Sequence, residues 1–221
     1  MKRTLAVVVA SGGMDSCLST AVAAETHDLA LFHLNYGQRT ERRELRAFRE
    51  QVAHFEAIHS LVVDASHFIQ IGGSALTDHS IKVPEEFHNE SIPVTYVPFR
   101  NANILAMAVS WAEVLGAEKI FIGAVEEDSS GYPDCREEFI QAFNHLIRTG
   151  TRQDTNISIE APLIHTTKED IVRWGLKLKI PFEKTWSCYQ DEEKACGVCD
   201  SCRLRLKGFR LAGAEDPIPY R

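Results

Sequence analysis

The sequence predicts an α/β fold, a doubly wound and mostly parallel sheet with helices on both faces, followed by a short cysteine-rich C-terminal segment. Short aliphatic runs alternate along the chain with stretches of helical period, which is typical of βαβ units. The runs are continuously apolar, as expected for strands that are buried on both faces. With 221 residues, 44% of them hydrophobic, the chain is long enough to bury a full core.

The first predicted strand is Leu5 to Ala10, which is aliphatic and closes on Ser-Gly-Gly. Asp15 to Ala24 has the Ala and Leu spacing of a helix. A second apolar run predicts a strand at Leu29 to Tyr36, and Glu41 to Phe55 combines a charged face with apolar residues at helical intervals. Leu61 to Val63 predicts a short third strand.

The second half of the chain continues the alternation of helices and strands. The predicted elements are a helix at Asn101 to Leu115 that stops at Gly116, a strand at Lys119 to Ile122, and helices at Arg136 to Ile147 and Lys168 to Leu178. Strands and helices that alternate at this spacing predict a parallel sheet with helices on both faces.

Two regions interrupt this alternation. Ser66 to Pro98 contains Gly and Pro with little periodicity, and its length is more typical of a functional loop or lid than of a plain connection. Pro181 to Cys202 is too short for a core of its own. We therefore expect a main domain over residues 1–180 and a C-terminal segment over residues 181–221. This segment would contain a helix and would be held to the main domain by a covalent or metal link.

The overall charge restricts the class of partner. The chain carries 31 acidic and 24 basic side chains, a net charge of -7, which is the wrong sign for a protein that coats nucleic acid. A small anionic ligand remains compatible with this charge, because a nest of backbone amides can hold phosphate. Leu5 to Ala10 is too short for a signal peptide or a membrane span, so we expect a cytoplasmic protein.

The hexapeptide Ser11-Gly-Gly-Met-Asp-Ser16 lies between the first strand and the first helix, where ligands bind in open α/β sheets. Its glycines allow backbone N–H groups to converge on an oxyanion, and the helix N-terminus adds a partial positive charge. Asp15 is compatible with bound phosphate if Mg²⁺ lies between them. An ordinary capped turn is the alternative, and no Gly-Lys-Ser/Thr of the Walker type follows.

Four cysteines occur within one short stretch, as Cys188-x7-Cys196-x2-Cys199-x2-Cys202. Four thiolates favour tetrahedral Zn²⁺ in a closed structural site, which leaves no open position for catalysis by the metal. An iron–sulfur cluster or redox-active pairs are the alternatives. We expect the metal to tie the C-terminal segment to the sheet domain.

The hexapeptide resembles the PP-loop ATP pyrophosphatase superfamily, whose fold is adenine nucleotide alpha hydrolase-like. An ordered set of segments resembles one family in it, the 7-cyano-7-deazaguanine synthases of queuosine biosynthesis. The segments are Ser11 to Ser16, Tyr36-Gly-Gln-Arg39, Val97-Pro-Phe-Arg-Asn101, Ser130-Gly-Tyr-Pro-Asp-Cys-Arg136, Ala161-Pro-Leu163 and Thr185-Trp-Ser-Cys-Tyr189 with the cysteine cluster. One departure is Ser129, where the family pattern would have an aromatic residue.

The resemblance implies an ATP-dependent carbon–nitrogen ligase that acts through residues 1–180. It would convert 7-carboxy-7-deazaguanine and ammonia to the nitrile through an adenylated acid and an adenylated amide, releasing AMP and pyrophosphate. It also implies a homodimer. Two rival interpretations are a PP-loop enzyme that thiolates tRNA with the clustered cysteines, and a zinc-bearing nucleic-acid module. The lack of a basic extension argues against the first rival, and the phosphate-binding hexapeptide and the net charge of -7 argue against the second.

The resemblance and the local chemistry together select candidate site residues. The catalytic candidates are Asp15, Arg100, Arg136 and Lys168. The ATP-binding candidates are Ala10, Ser11, Gly12, Gly13, Met14, Asp15, Ser16, Cys17, Leu18, Ser19 and Thr20. The substrate-binding candidates are Tyr36, Gln38, Arg39, Asp128, Tyr132, Asp134 and Cys135, and the metal ligands are Cys188, Cys196, Cys199 and Cys202.

Three of these candidates have specific roles. A carboxylate can pair with the guanine-like edge of the substrate by two hydrogen bonds, and Asp134 is the first choice, ahead of Asp128 and Glu127. Cys135 is interpreted as a wall of the substrate pocket rather than as a nucleophile. Cys17 begins a helix, which lowers a thiol pKa, but a small buried residue that faces the sheet is the simpler interpretation.

Overall fold

The computed structural model describes residues 3–84, 92–126 and 131–221. Within these residues one parallel sheet has the strand order β3-β2-β1-β4-β5. Its strands are β1 (Thr4–Val9), β2 (His27–Asn35), β3 (His59–Asp64), β4 (Lys119–Ile122) and β5 (Ser158–Glu160). The predicted parallel sheet is confirmed. The sequence did not reveal β5, because three residues are too few to show a period.

The helices are α1 (Met14–Ala24), α2 (Glu41–His54), α3 (His67–Ile71), α4 (Arg100–Leu115), α5 (Glu137–Gly150), α6 (Lys168–Leu178) and α7 (Asp200–Ala212). Short 3-10 turns occur at Pro133–Cys135 and Phe182–Lys184. The short helix α3 lies inside the segment predicted as a long loop, where the buried side chain of Phe68 anchors it. In the described residues no helix is both long and apolar enough to cross a membrane.

The sheet is covered on both faces because side chains on one strand alternate in direction. On β1, Val7 and Val9 belong to the core that includes α4 and α5. Ala6 and Val8 face the opposite side, in a core shared with α1 and α2. The predicted two-sided cover of helices is therefore confirmed.

The strand order places a crevice at the carboxyl end of β1. The chain runs from β1 through α1 to β2 on one side, whereas β4 lies on the other side of β1 and is paired with it from Ala6 to Val9. Such a reversal opens a ligand crevice in doubly wound sheets. The Ser11–Ser16 loop follows β1 directly into this crevice.

The C-terminal segment packs against the sheet domain. Phe209 of α7 shares a core with Met14 and Leu18 of α1. The buried Arg205 side chain makes a bidentate ion pair with Asp216, at 2.7 and 2.8 Å. The Phe209 contact joins α7 to the main domain, and the ion pair ties the chain after α7 back onto that helix.

Candidate active site and metal centre

A cavity of about 260 Å³ opens at the carboxyl ends of β1, β2 and β4. One wall is the Ser11–Ser16 loop with Gly123 to Val125 after β4. Tyr36, Arg100 and Tyr132 line another part of the cavity. The C-terminal segment supplies a further part of the wall, through Trp186, Ser187, Tyr189, Asp200, Ser201, Leu204 and Arg205.

The Ser11–Ser16 loop, which is the predicted phosphate loop, is held in shape by its own hydrogen bonds. The Ser11 backbone N–H donates to Ser16 Oγ at 3.2 Å, and Ser16 Oγ donates to the Gly13 carbonyl at 3.1 Å. Gly12 has a φ of +88°, and a Cβ there would lie 2.6 Å from the Glu44 carbonyl oxygen. Only glycine therefore fits at this position, and the loop lies flat against α2.

Gly123 allows the end of β4 to approach the phosphate loop closely. A Cβ at this position would lie 2.7 Å from the Ser16 nitrogen and 2.8 Å from the Asp15 carbonyl carbon. The missing side chain thus lets the backbone of one strand support the loop that follows another. In the sequence Gly123 only follows the predicted strand Lys119 to Ile122, and no local pattern gives it a part in the site.

Lys168 and Asp15 form an ion pair within the cavity. Lys168 Nζ donates to Asp15 Oδ2 at 2.7 Å, and the lysine side chain is only 11% exposed. Lys168 lies at the start of α6, where Thr167 Oγ1 accepts a hydrogen bond from the Asp170 backbone N–H. The other oxygen of Asp15, Oδ1, is buried without a hydrogen-bond partner among the described residues. It is a donor atom of the kind that Mg²⁺ prefers.

Arg100 projects its guanidinium into the cavity beside Tyr36. Its NH1 donates to Tyr36 Oη at 3.0 Å, and its Cζ lies 5.3 Å from the centre of the Tyr36 ring. The Arg100 Nε is buried with no hydrogen-bond partner within the described ranges. This leaves a donor and a positive charge for an anionic ligand.

Asp134 lies at the N-terminus of α4 rather than on the cavity wall that the described residues form. Its Oδ2 accepts from the Asn101 backbone N–H at 3.0 Å, and Asn101 Nδ2 donates to the Asp134 carbonyl and to Cys135 Sγ. Tyr132 and Cys135 do line the cavity. Burial raises the pKa of the Cys135 thiol to about 11, so the thiol is neutral near pH 7.

The structure separates the other predicted residues from the cavity. Arg136 is exposed and lies in a different depression, with Glu137 and His165. Gln38 donates to Glu44 Oε2 at 3.1 Å. Arg39 donates to the carbonyls of Ala75, Asp78 and Ile81 and so fixes the segment after α3. Neither Gln38 nor Arg39 is part of the wall that the described residues form.

The predicted ATP-binding stretch divides at the start of α1. Ala10, Ser11, Gly13, Met14, Asp15 and Ser16 line the cavity. Cys17, Leu18, Ser19 and Thr20 are fully buried in α1, behind the described cavity wall, and Gly12 packs against α2. Burial raises the pKa of the Cys17 thiol to about 12. Glu127, Asp128 and Ser129 lie outside the described residues.

The cavity also contains groups that the sequence did not reveal. Glu44 lines the cavity, and burial raises the pKa of its carboxyl to about 7. In the sequence Glu44 is one of several charged residues of an amphipathic helix. The Trp186 backbone N–H donates to the Gly12 carbonyl at 2.9 Å, which attaches the C-terminal segment to the phosphate loop. No local pattern predicts a contact between residues so far apart in sequence.

The four clustered cysteines form a site that could hold a metal ion. Their sulfur atoms lie within 4.8 Å of one another, and three of the four residues are buried. Cys188 Sγ accepts from the backbone N–H groups of Gln190 and Cys196, and Cys196 Sγ accepts from that of Cys199, each at 3.3 Å. Amide donors of this kind stabilise thiolates. The donor set fits a soft, tetrahedral cation.

The family model described as "Queuosine biosynthesis protein QueC" matches residues 5–213 of the chain. The chain belongs to this family. This membership confirms the resemblance that the ordered segments indicated. The matched residues include both the phosphate loop and the cysteine cluster. The segments that carry the resemblance therefore belong to one protein rather than to unrelated local patterns.

Relatives of this chain are similar to it over nearly their whole length. A 7-cyano-7-deazaguanine synthase from Chlorobium phaeobacteroides (strain DSM 266) is 57% identical over 97% of this chain and 96% of its own. One from Nitratiruptor sp. is 54% identical and covers 98% of both chains. The solved structure of an NMN synthetase from Francisella tularensis has a TM-score of 0.50 at 13% identity, over 96% of this chain and 78% of its own, and supports the fold.

Proposed function

We propose that the chain is a 7-cyano-7-deazaguanine synthase, an ATP-dependent carbon–nitrogen ligase. It converts 7-carboxy-7-deazaguanine and ammonia to the nitrile and releases AMP and pyrophosphate in each of two adenylations. One observation carries the proposal. In a chain of the QueC family, the phosphate loop and the Asp15–Lys168 ion pair share a cavity with Arg100 and Tyr132.

The chemistry requires two activations because neither a carboxylate oxygen nor an amide oxygen is a good leaving group. Transfer of AMP to each oxygen in turn makes it one. We assign the outer phosphates of ATP to the N–H groups of the Ser11–Ser16 loop and the N-terminus of α1. Lys168 and Arg100 supply positive charge where negative charge develops between the α phosphate and the departing pyrophosphate.

Two metals complete the proposal. The free oxygen of Asp15 supports Mg²⁺ as the ion that accompanies ATP, where it would neutralise phosphate charge. The sulfur atoms of Cys188, Cys196, Cys199 and Cys202 support one structural Zn²⁺. Because four thiolates fill a tetrahedral site, the zinc holds the C-terminal wall and takes no part in the reaction.

The remaining assignments concern the substrate and the assembly. Tyr36, Tyr132 and Cys135 contact the deazaguanine, and Asp134 and Asp128 remain candidates for its guanine-like edge. Gln38 acts through Glu44, and Arg39 acts through the segment after α3, whereas Arg136 lies outside the described cavity wall. The nitrogen donor is ammonia, and the enzyme is a cytoplasmic homodimer that does not bind nucleic acid directly.

The experiment mixes the purified protein with 7-carboxy-7-deazaguanine, ammonium and Mg-ATP. The expected products are two AMP per nitrile, and the nitrile mass corresponds to addition of one ammonia and loss of two waters. Substrate-dependent exchange of labelled pyrophosphate into ATP reports the first adenylation alone. Absence of AMP release would exclude the proposed function.

A Cys199→Ser variant separates this function from tRNA thiolation. The ligase loses metal and stability in this variant, because the cysteine is a structural ligand. A sulfur carrier would instead keep its fold and lose sulfur transfer to tRNA. Metal analysis and thermal unfolding of the variant distinguish the two outcomes.

A further inference from the structure

We propose that Glu44 is the catalytic base that removes protons from nitrogen in both carbon–nitrogen steps. This inference rests on the proposed function. Glu44 lies in the first turn of α2, behind the phosphate loop, and it lines the same cavity as Asp15, Lys168 and Arg100.

The balance of atoms requires such a base. Attack of ammonia on the adenylated acid forms a C–N bond, breaks the C–O bond to AMP and leaves one proton to be removed. Attack of the amide oxygen on the second ATP then releases pyrophosphate and gives a cationic adenylated amide. Its C–O bond breaks, AMP takes the electron pair, and two protons leave nitrogen. All three hydrogens of ammonia thus depart as protons, and we assign each to Glu44, from which it passes to water.

The surroundings of Glu44 distinguish it from the other carboxylates on the described cavity wall, Asp15 and Asp200. Asp15 is paired with Lys168 beside the phosphate loop. Asp200 lies between two of the metal-ligating cysteines in sequence, where it begins α7. Glu44 is instead held by neutral donors, since Oε1 accepts from a threonine hydroxyl at 2.8 Å and Oε2 accepts from a glutamine amide at 3.1 Å.

Neutral donors orient a carboxylate without depriving it of basicity as a lysine or arginine would. They also leave further lone pairs on both oxygens, because an ionised carboxylate has about four acceptor sites. Glu44 is therefore fixed in position and still able to accept a proton from a bound substrate.

The hydrogen bonds around Thr40 accommodate a proton on Glu44. Thr40 Oγ1 lies 2.8 Å from Glu44 Oε1 and 3.1 Å from the carbonyl oxygen of Cys188, and both neighbours are acceptors when Glu44 is ionised. One hydroxyl hydrogen can serve only one of them. When Glu44 carries a proton, it donates to Thr40, and Thr40 donates to the carbonyl. The hydrogen bonds around Thr40 are therefore compatible with both the ionised and the protonated form of Glu44.

The charges that face Glu44 keep its titration near neutrality. Burial raises the pKa of Glu44 to about 7, opposed by the hydrogen bonds from Thr40 and Gln38 and by the positive charge of Arg100 on α4, while Glu41 on its own helix raises it further. Tyr36 is neutral at this pH, because burial raises its pKa to about 12. A general base works best when its pKa is close to the working pH.

The test uses Glu44→Gln in the full-length enzyme, with two reactions measured separately. Pyrophosphate exchange with 7-carboxy-7-deazaguanine needs no base on nitrogen, and we expect it to continue at nearly the parental rate. Conversion of the corresponding amide to the nitrile with Mg-ATP needs the base, and we expect it to fall by about 10²- to 10⁴-fold. Glu50→Gln is the matched control, on the same helix but paired with Arg46 outside the described cavity wall, and keeps both reactions.

The pH profile gives a second measurement. With the amide as substrate, the titration of ammonium does not enter. The parental rate then rises with pH through the pKa of Glu44, because the ionised form is the base. Glu44→Asp, which retains a carboxylate, keeps this rising limb at a lower rate, whereas Glu44→Gln removes it.

Several outcomes would overturn the assignment. Parental nitrile formation by Glu44→Gln excludes the role of Glu44 and leaves the proposed function intact. Loss of exchange together with nitrile formation in a folded Glu44→Gln variant makes Glu44 a support of the phosphate loop rather than a base. If the parent enzyme itself shows neither exchange nor nitrile, the proposed function fails, and this inference fails with it.

Discussion

The close approach of β4 to the phosphate loop predicts a large effect of a single methyl group. In Gly123→Ala, the new Cβ would lie 2.7 Å from the Ser16 nitrogen. Non-bonded heavy atoms prefer about 3.5 Å, so the loop must move by about 0.8 Å. Gly123 does not have a positive φ, so the alanine backbone itself is unstrained. The displacement of the loop is thus the main consequence of the substitution.

A displacement of this size matters under the proposed function, in which the loop orients the phosphates of ATP for attack. Misplacement by about 1 Å can cost about 100-fold in rate, which corresponds to about 2.7 kcal/mol of transition-state stabilisation. We expect kcat/KM for substrate-dependent AMP release by Gly123→Ala to fall by about this factor. The overpacked contact should also lower the free energy of unfolding by about 1–3 kcal/mol.

The assay compares steady-state AMP release and denaturant unfolding of Gly123→Ala with those of Gly150→Ala. Gly150 ends α5, and a Cβ there meets nothing within 4 Å. The control should therefore keep parental activity. If Gly123→Ala releases AMP at the parental rate, β4 does not fix the position of the phosphate loop, and the reasoning is wrong.

Three further predictions concern charged groups. Lys168→Met should lower kcat/KM for AMP release by about 10²- to 10³-fold without unfolding the chain, because it removes a positive charge from the phosphate site. Asp216→Asn should destabilise the protein by about 3–5 kcal/mol in denaturant unfolding, because it leaves the buried Arg205 with an uncompensated charge. The pKa of Glu44 in the folded protein, about 7, exceeds its ordinary value of 4.5. The free energy of unfolding should therefore fall as the pH rises from about 4.5 to about 7, by at most about 3 kcal/mol. In calorimetry, the Glu44→Gln variant should not show this loss of unfolding free energy. If the variant has the same pH dependence as the parent protein, the pKa assigned to Glu44 is wrong.

Features that depend on residues close together in the chain could be predicted from the sequence. The apolar runs predicted the parallel sheet, because strands buried on both faces have no polar side to obscure them. The phosphate loop and the spacing from Cys188 to Cys202 are short patterns, and the cysteine sulfurs do converge as predicted. The domain boundary after residue 180 remains a prediction.

The parts that the sequence did not reveal depend on distant contacts. Arg100 and Arg136 both lie near the start of a predicted helix. In the structure Arg100, at the start of α4, lines the cavity, whereas Arg136, just before α5, lies in a separate depression. Asp134 resembles a ligand-binding turn residue in sequence, whereas its carboxylate accepts a helix N–H. The close approach of Gly123 to the phosphate loop depends on the pairing of β4 with β1, which no local spacing encodes.

The hydrogen bond from Trp186 to the carbonyl of Gly12 has a consequence for biosynthesis of the enzyme. The Ser11–Ser16 loop is translated first, but part of the cavity wall beside it comes from residues 186–205, and Asp216 is needed to neutralise Arg205 within that part. A nascent chain on the ribosome therefore carries an exposed, unfinished pocket until translation has passed Asp216. The pocket is therefore one of the last parts of the fold to be completed.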